Sequence, residues 1–175
     1  MARVPQEAAE LTFALDFCNT YDLLNDPVEL LSLELLGARA VRAGRPELVH
    51  GLTEAHLPAL RALRSRLYQA FALNTAGAKL DALDEVLVDA GAQARIVAGR
   101  LDAVAGPHPV HRLAATLAGA LARAIIEGDP TRLRLCAGDP CRCVYVDRTR
   151  ANRQRYCCEL CNDRMAARAY RSRRT

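Results

Sequence analysis

Six of the seven cysteines lie between Cys136 and Cys161, in two groups. The first reads Cys136-Ala-Gly-Asp-Pro-Cys141-Arg-Cys143. After thirteen residues comes Cys157-Cys158-Glu-Leu-Cys161. Two close groups around a short insert are the layout of a structural zinc site, in which four thiolates converge at about 2.3 Å on one tetrahedral ion. Gly138-Asp139-Pro140 supplies a tight turn in the first group. Val144 to Asp147 predicts a strand, with residues 148–152 as its turn, and a hairpin there would draw the two groups together. Six sulfurs compete for four positions. Cys143 would share a strand face with Cys141. Cys158 and Cys161 form a CxxC, whereas Cys157 and Cys161 are four apart and share one face where a helix begins. Spacing alone does not choose between Cys157 and Cys158. A redox CxxC is the competing reading, but it expects a βαβ setting that this tail is too short to build. A catalytic zinc is disfavoured, because the candidate ligands are all sulfur and no His-Glu pair stands nearby. His108 and His111 read as surface or capping residues, and Cys18 as a buried packing residue.

Arginine is the second chemistry of this segment. Residues 131–175 hold 12 arginines against four acids, a net charge of +8, while residues 1–130 carry −4. Such asymmetry predicts an anionic partner for the basic part. The candidates for nucleic-acid contact are Arg142, Arg148, Arg150, Arg153 and Arg155 around the insert. On the terminal helix, Arg164, Arg168 and Arg171 form one stripe at i, i+4 and i+7, extended by Arg173 and Arg174. Guanidinium forks suit phosphates and guanine edges, and phosphate contact makes binding strongly salt-dependent. Arg142, Arg148 and Arg155 would also offset the negative charge of a four-thiolate zinc site. Tyr156 and Tyr170 read as packing residues.

The rest of the chain must position these groups. With 175 residues, the length predicts one domain, or one domain plus a small appendage. No apolar run reaches about 18 residues, which excludes a membrane-spanning helix. The first residues have no secretory pattern, so a reducing cytoplasmic setting is expected. Leu11, Phe13, Leu15 and Phe17 alternate and predict a strand. Asp26-Pro27-Val28-Glu29 predicts a helix from Pro27 to about Leu36. Leu57, Leu60, Leu63, Leu67 and Phe71 mark one face of a helix capped near Thr53, with Pro58 tolerable only near its start. Leu80, Leu83 and Leu87 mark another helix, and Gly99 suits a short hairpin within the ambiguous stretch 93–104. Val110, Leu113, Leu117, Leu121 and Ile125 mark a long helix closed by Gly128, and Asp129-Pro130 starts a short helical turn. The fold class is mainly α with a small β component: a helical domain over residues 1–130 and a small zinc-held unit over 131–175, treble-clef-like or ribbon-like, with a hairpin followed by a helix. No phosphate loop, Ser-His-Asp set or catalytic metal signature is present, so a binding protein is expected rather than an enzyme.

The stretch from Leu133 through Cys136, Cys141, Asp147, Arg153, Arg155, Tyr156 and Cys157 to Cys161-Asn162-Asp163-Arg164 resembles the CGNR zinc finger. Leu15-Asp16-Phe17-Cys18-Asn19-Thr20 resembles the opening of the ABATE domain that accompanies it. The resemblance implies one structural Zn²⁺ held by Cys136, Cys141, Cys157 and Cys161, which leaves Cys143 and Cys158 spare. The chain departs from the name-giving motif, with Asn162 where Gly is usual and Asp163 where Asn is usual. The resemblance also implies a transcription regulator that binds DNA through the basic finger. On that leading hypothesis the helical domain would dimerise or sense a small-molecule effector. An RNA-associated or acidic-protein-binding module is the alternative.

Overall fold

The alternation of Leu11, Phe13, Leu15 and Phe17 is misleading: the segment forms helix α1 (Gln6–Cys18). Over residues 9–18 its buried residues are Glu10, Phe13, Ala14, Phe17 and Cys18, a helical face at spacings of 3, 1, 3 and 1. Small Ala14 and Cys18 count as apolar here, and Glu10 is buried because Arg45 and Arg123 pair with it. The computed structural model describes residues 6–97 and 99–173, so Arg174 lies outside the described residues.

No helix starts at Pro27. Residues 21–32 run as irregular chain with a bridge between Tyr21 and Glu29. Glu29 is drawn into a two-pronged ion pair with Arg64, at 2.6 and 2.8 Å, instead of capping a helix. Helix α2 (Leu33–Arg42) begins later, where Ser32 accepts a hydrogen bond from the Leu35 N–H at 3.1 Å. Helices α3 (Leu57–Ala72) and α4 (Ala76–Asp89) follow the leucine spacing, with Thr75 capping α4. Strands β1 (Gln93–Val97) and β2 (Arg100–Val104) make the hairpin about Gly99, whose φ of +80° suits glycine. Helix α5 (Pro109–Ile126) is the central post, packed against α1 and α4, with Leu113, Leu117 and Leu121 essentially without solvent exposure. Gly128 follows it, and a Cβ there would sit 2.6 Å from the Ala124 carbonyl oxygen.

A short helical turn at Pro130–Arg132 leads to β3 (Leu133–Leu135), which pairs antiparallel with β4 (Val144–Val146). Helix α6 (Glu159–Ser172) ends the described chain. The described residues form six α-helices and two two-stranded sheets, a mainly α fold with a small β component. Leu133 and Val144 belong to the same buried cluster as the helices, so one core runs from the helical body into the C-terminal hairpin. Two polar pairings join the same parts. The Lys79 ammonium donates to the Leu133 carbonyl at 3.0 Å, and the Asn19 carboxamide brackets the Val144 peptide unit.

Candidate metal centre and its surroundings

The hairpin that organises the cysteines is not the expected one. β4 pairs backwards with β3, so Cys136 and Cys141 lie within the loop of that hairpin. The insert after β4 holds no second strand; it returns as a loop. The Cys136 N–H donates to the Cys143 carbonyl at 2.8 Å, closing the base of a knuckle. The backbone then turns around the sulfurs. Gly138 N–H points at Cys136 Sγ at 3.4 Å, and Cys143 N–H at Cys141 Sγ at 3.5 Å. A Cβ on Gly138 would lie 3.4 Å from Cys136 Sγ and 3.3 Å from the Arg164 guanidinium, so the close approach favours glycine.

The return loop is held by groups that spacing did not reveal. Asp147 has no solvent exposure and accepts from the Thr149 hydroxyl, the Thr149 N–H and the Gln154 N–H, at 2.5, 2.8 and 2.8 Å. Burial pushes its carboxyl up, but those donors outweigh it and leave the group below the usual range. Arg134 donates to the carbonyls of Asn152 and Gln154, and Arg132 to those of Asp147 and Thr149. The Tyr145 hydroxyl donates to the Gln154 carbonyl at 2.6 Å. The local signal was an Asp two residues before a Thr, which favours a side-chain-closed turn. These bonds deliver Cys157, whose N–H meets Cys136 Sγ at 3.3 Å, and α6 then carries Cys161 inward.

Four sulfurs converge, those of Cys136, Cys141, Cys157 and Cys161, all within 4.8 Å of one another. Cys141 and Cys157 are 3.8 Å apart, and Cys157 and Cys161 3.7 Å. Zinc–sulfur bonds of about 2.3 Å in a tetrahedron require sulfurs about 3.8 Å apart. Disulfides are excluded at these separations. The geometry thus resolves the choice that spacing left open. Cys158 is exposed at the N-cap of α6, and Cys143 is half-buried outside the set. Burial, followed by the neighbouring sulfurs, raises the Cys157 thiol, and burial pushes Cys161 up to about 12. For Cys136 burial is outweighed by the N–H donors of Cys157 and Gly138, so its thiol is lowered. A divalent cation at the centre reverses the unfavourable terms and makes all four sulfurs thiolates. The donor set fits one structural zinc. Four sulfurs close the shell and leave no open coordination position.

The finger's arginines divide by role. Arg164 reaches the Gly138 carbonyl at 3.3 Å and Cys161 Sγ at 3.6 Å, and Arg168 pairs with Asp139 at 2.6 Å. The stripe expected to face outward therefore begins by facing its own knuckle. Arg142 folds back over the rings of Tyr68 and Tyr21, and Arg155 lies over Tyr156. Arg148, Arg150, Arg153, Arg171 and Arg173 are exposed. Tyr156 packs beside the cysteines, whereas Tyr170 is 54% exposed and is not a core residue. His108 and His111 are exposed, their rings in tilted contact with centres 4.4 Å apart. Cys18 is buried, and that burial pushes its thiol up to about 12.

No curated protein matches the chain significantly. Two family models do. The CGNR zinc finger matches residues 132–174. The ABATE model, described as "Putative stress-induced transcription regulator", matches residues 11–128. No helix among the described residues is long and apolar enough to cross a membrane. With four convergent thiol sulfurs in the segment that one model covers and the helical body covered by the other, the chain belongs to the ABATE family and ends in a CGNR zinc finger.

Proposed function

We propose that this protein is a DNA-binding regulator whose zinc-held finger docks its arginine loop, residues 148–155, on the phosphate backbone. The observation that carries the reading is a set of uncommitted cations. The side chains of Arg148, Arg150 and Arg153 on the loop, of Arg171 on α6 and of Arg173 just after it are exposed and make no side-chain hydrogen bond or ion pair among the described residues. Arg132, Arg134, Arg164 and Arg168 are spent inside the finger. Zinc fixes both ends of the loop and thereby presents its charges at low entropic cost. Arg171 and Arg173 extend the face along the helix. In this reading the site binds rather than catalyses, because the metal shell is closed.

The test is a salt series on duplex DNA with the zinc-loaded chain. Steep salt dependence is expected. Arg150→Gln with Arg153→Gln should lower the slope of log K against log salt by about 2. Equal slopes for the parent and the double variant would refute the loop as the interface. Tighter binding to structured RNA than to duplex DNA would move the partner to RNA.

A further inference from the structure

Arg142 projects from the knuckle between the zinc ligand Cys141 and Cys143, at the seam between finger and helical body. Its guanidinium carbon lies 4.7 Å from the centre of the Tyr68 ring and 5.7 Å from that of Tyr21. Cation–π contact of this kind holds the guanidinium against the rings without using its N–H groups. Among the described residues no acceptor meets them. Beside the fork is a cavity of about 280 Å³, lined by Cys18, Tyr21, Arg64, Ser65, Tyr68 and Gln69. Arg64 is only 7% exposed. Its charge is matched by Glu29, and it also donates to the Thr20 hydroxyl at 3.0 Å.

Of the two guanidiniums that line the hollow, only that of Arg64 has an ion-pair partner among the described residues. No carboxylate lines it. Glu29 is taken by Arg64 and Arg61. Asp22, the other acid close by in sequence, receives the Leu24 N–H and the Asn25 amide. Arg142 is a ring-held guanidinium with no ion-pair partner among the described residues, facing a hollow whose lining also holds the Arg64 guanidinium, paired with Glu29. We infer that this cavity binds a small ligand bearing an oxyanion, a carboxylate or phosphate group, seated on the Arg142 fork. Guanidinium forks pair with such groups through two parallel charge-assisted hydrogen bonds. The tyrosine rings supply apolar walls, and Ser65 and Gln69 add neutral polar groups, the usual mixture in a small-molecule site. A docking clamp alone would need the two rings but neither the hollow nor a second cation.

The chain has five tyrosines and no tryptophan, and two of the five, Tyr21 and Tyr68, line the cavity, so tyrosine emission responds to its occupancy. The experiment uses the full, zinc-loaded chain at constant ionic strength in chloride. Inorganic phosphate and succinate are titrated separately to about 10 mM. A saturable emission change with at least one probe is expected. Arg142→Gln should weaken that response by about tenfold or more while zinc stays at one per chain. Arg142→Lys, which keeps the charge but loses the fork, should weaken it as well. The Arg150→Gln, Arg153→Gln double variant should titrate like the parent, which separates this site from the proposed nucleic-acid face. No saturable change with either probe overturns the site. So does a response that survives Arg142→Gln or disappears in the loop double variant.

Discussion

Asn19 offers the sharpest test of how the finger is fastened to the helices. It follows the last residue of α1 and acts as a one-residue strand. Its Nδ2 donates to the Val144 carbonyl at 3.0 Å, and its Oδ1 accepts from the Val144 N–H at 2.8 Å. Val144 is 2% exposed, so water cannot replace these partners. Asn19→Ala strands one donor and one acceptor. Each buried unsatisfied group costs about 1–3 kcal/mol, and partial relaxation brings the pair to roughly 2–4 kcal/mol. For a chain of this length that is a fall of roughly 4–15 °C in Tm. Asn19→Asp sharpens the argument. A carboxylate still accepts from the N–H but opposes the carbonyl oxygen, so at neutral pH the loss should match or exceed that of alanine. In acid the protonated carboxyl can donate to the carbonyl, and the gap to the parent should narrow. Urea and thermal denaturation of the zinc-loaded chain at two pH values measure all of this. If both variants stay within about 0.5 kcal/mol of the parent, the bracket contributes nothing and the reasoning fails.

Serine replacement of Cys136, Cys141, Cys157 or Cys161 should abolish tight zinc binding, whereas Cys143→Ser and Cys158→Ser should each retain one zinc per chain by metal analysis. Removing zinc with a chelator should lower the thermal midpoint of the whole chain, because Leu133 and Val144 share the helical core. A midpoint indifferent to chelator would count against that shared core. The hydrogen bond from Arg64 holds the Glu29 carboxyl below its ordinary range, against the opposing effect of burial. Its ion pair therefore adds stability above the unfolded-chain pKa, and that stability is lost as pH falls through the lower folded value. Glu29→Gln should accordingly shrink the difference in Tm between pH 7 and pH 3.

The helices legible in the sequence were those that face the core with leucine. Leu60, Leu63 and Leu67 on α3, and Leu113, Leu117 and Leu121 on α5, recur at helical spacing because the core needs large apolar groups there. α1 was disguised. Its core face adds alanine, cysteine and a paired glutamate to Phe13 and Phe17, and those two phenylalanines happen to alternate with Leu11 and Leu15. The expected helix at Pro27 failed for a tertiary reason, since Glu29 gains more from Arg64 than from a helix N-terminus. At the metal, type and spacing announced zinc. The choice of Cys157 over Cys158 depends on where the return loop from Asp147 releases the chain, which is a three-dimensional property. The arginines showed the same limit. Composition gave their number but not which of them brace the finger.

Lys79 is the only lysine in the chain. It is 7% exposed, with its amine on the carbonyl of Leu133 in β3. The folded protein therefore offers almost no side-chain amine to acylating, alkylating or cross-linking reagents. Burial also pulls the amine's pKa below the ordinary lysine value, and exposure to solvent removes the cause of that shift. Labelling at this one position becomes a clock for the lifting of β3 from α4, and its rate counts the moments at which the finger leaves the helical body.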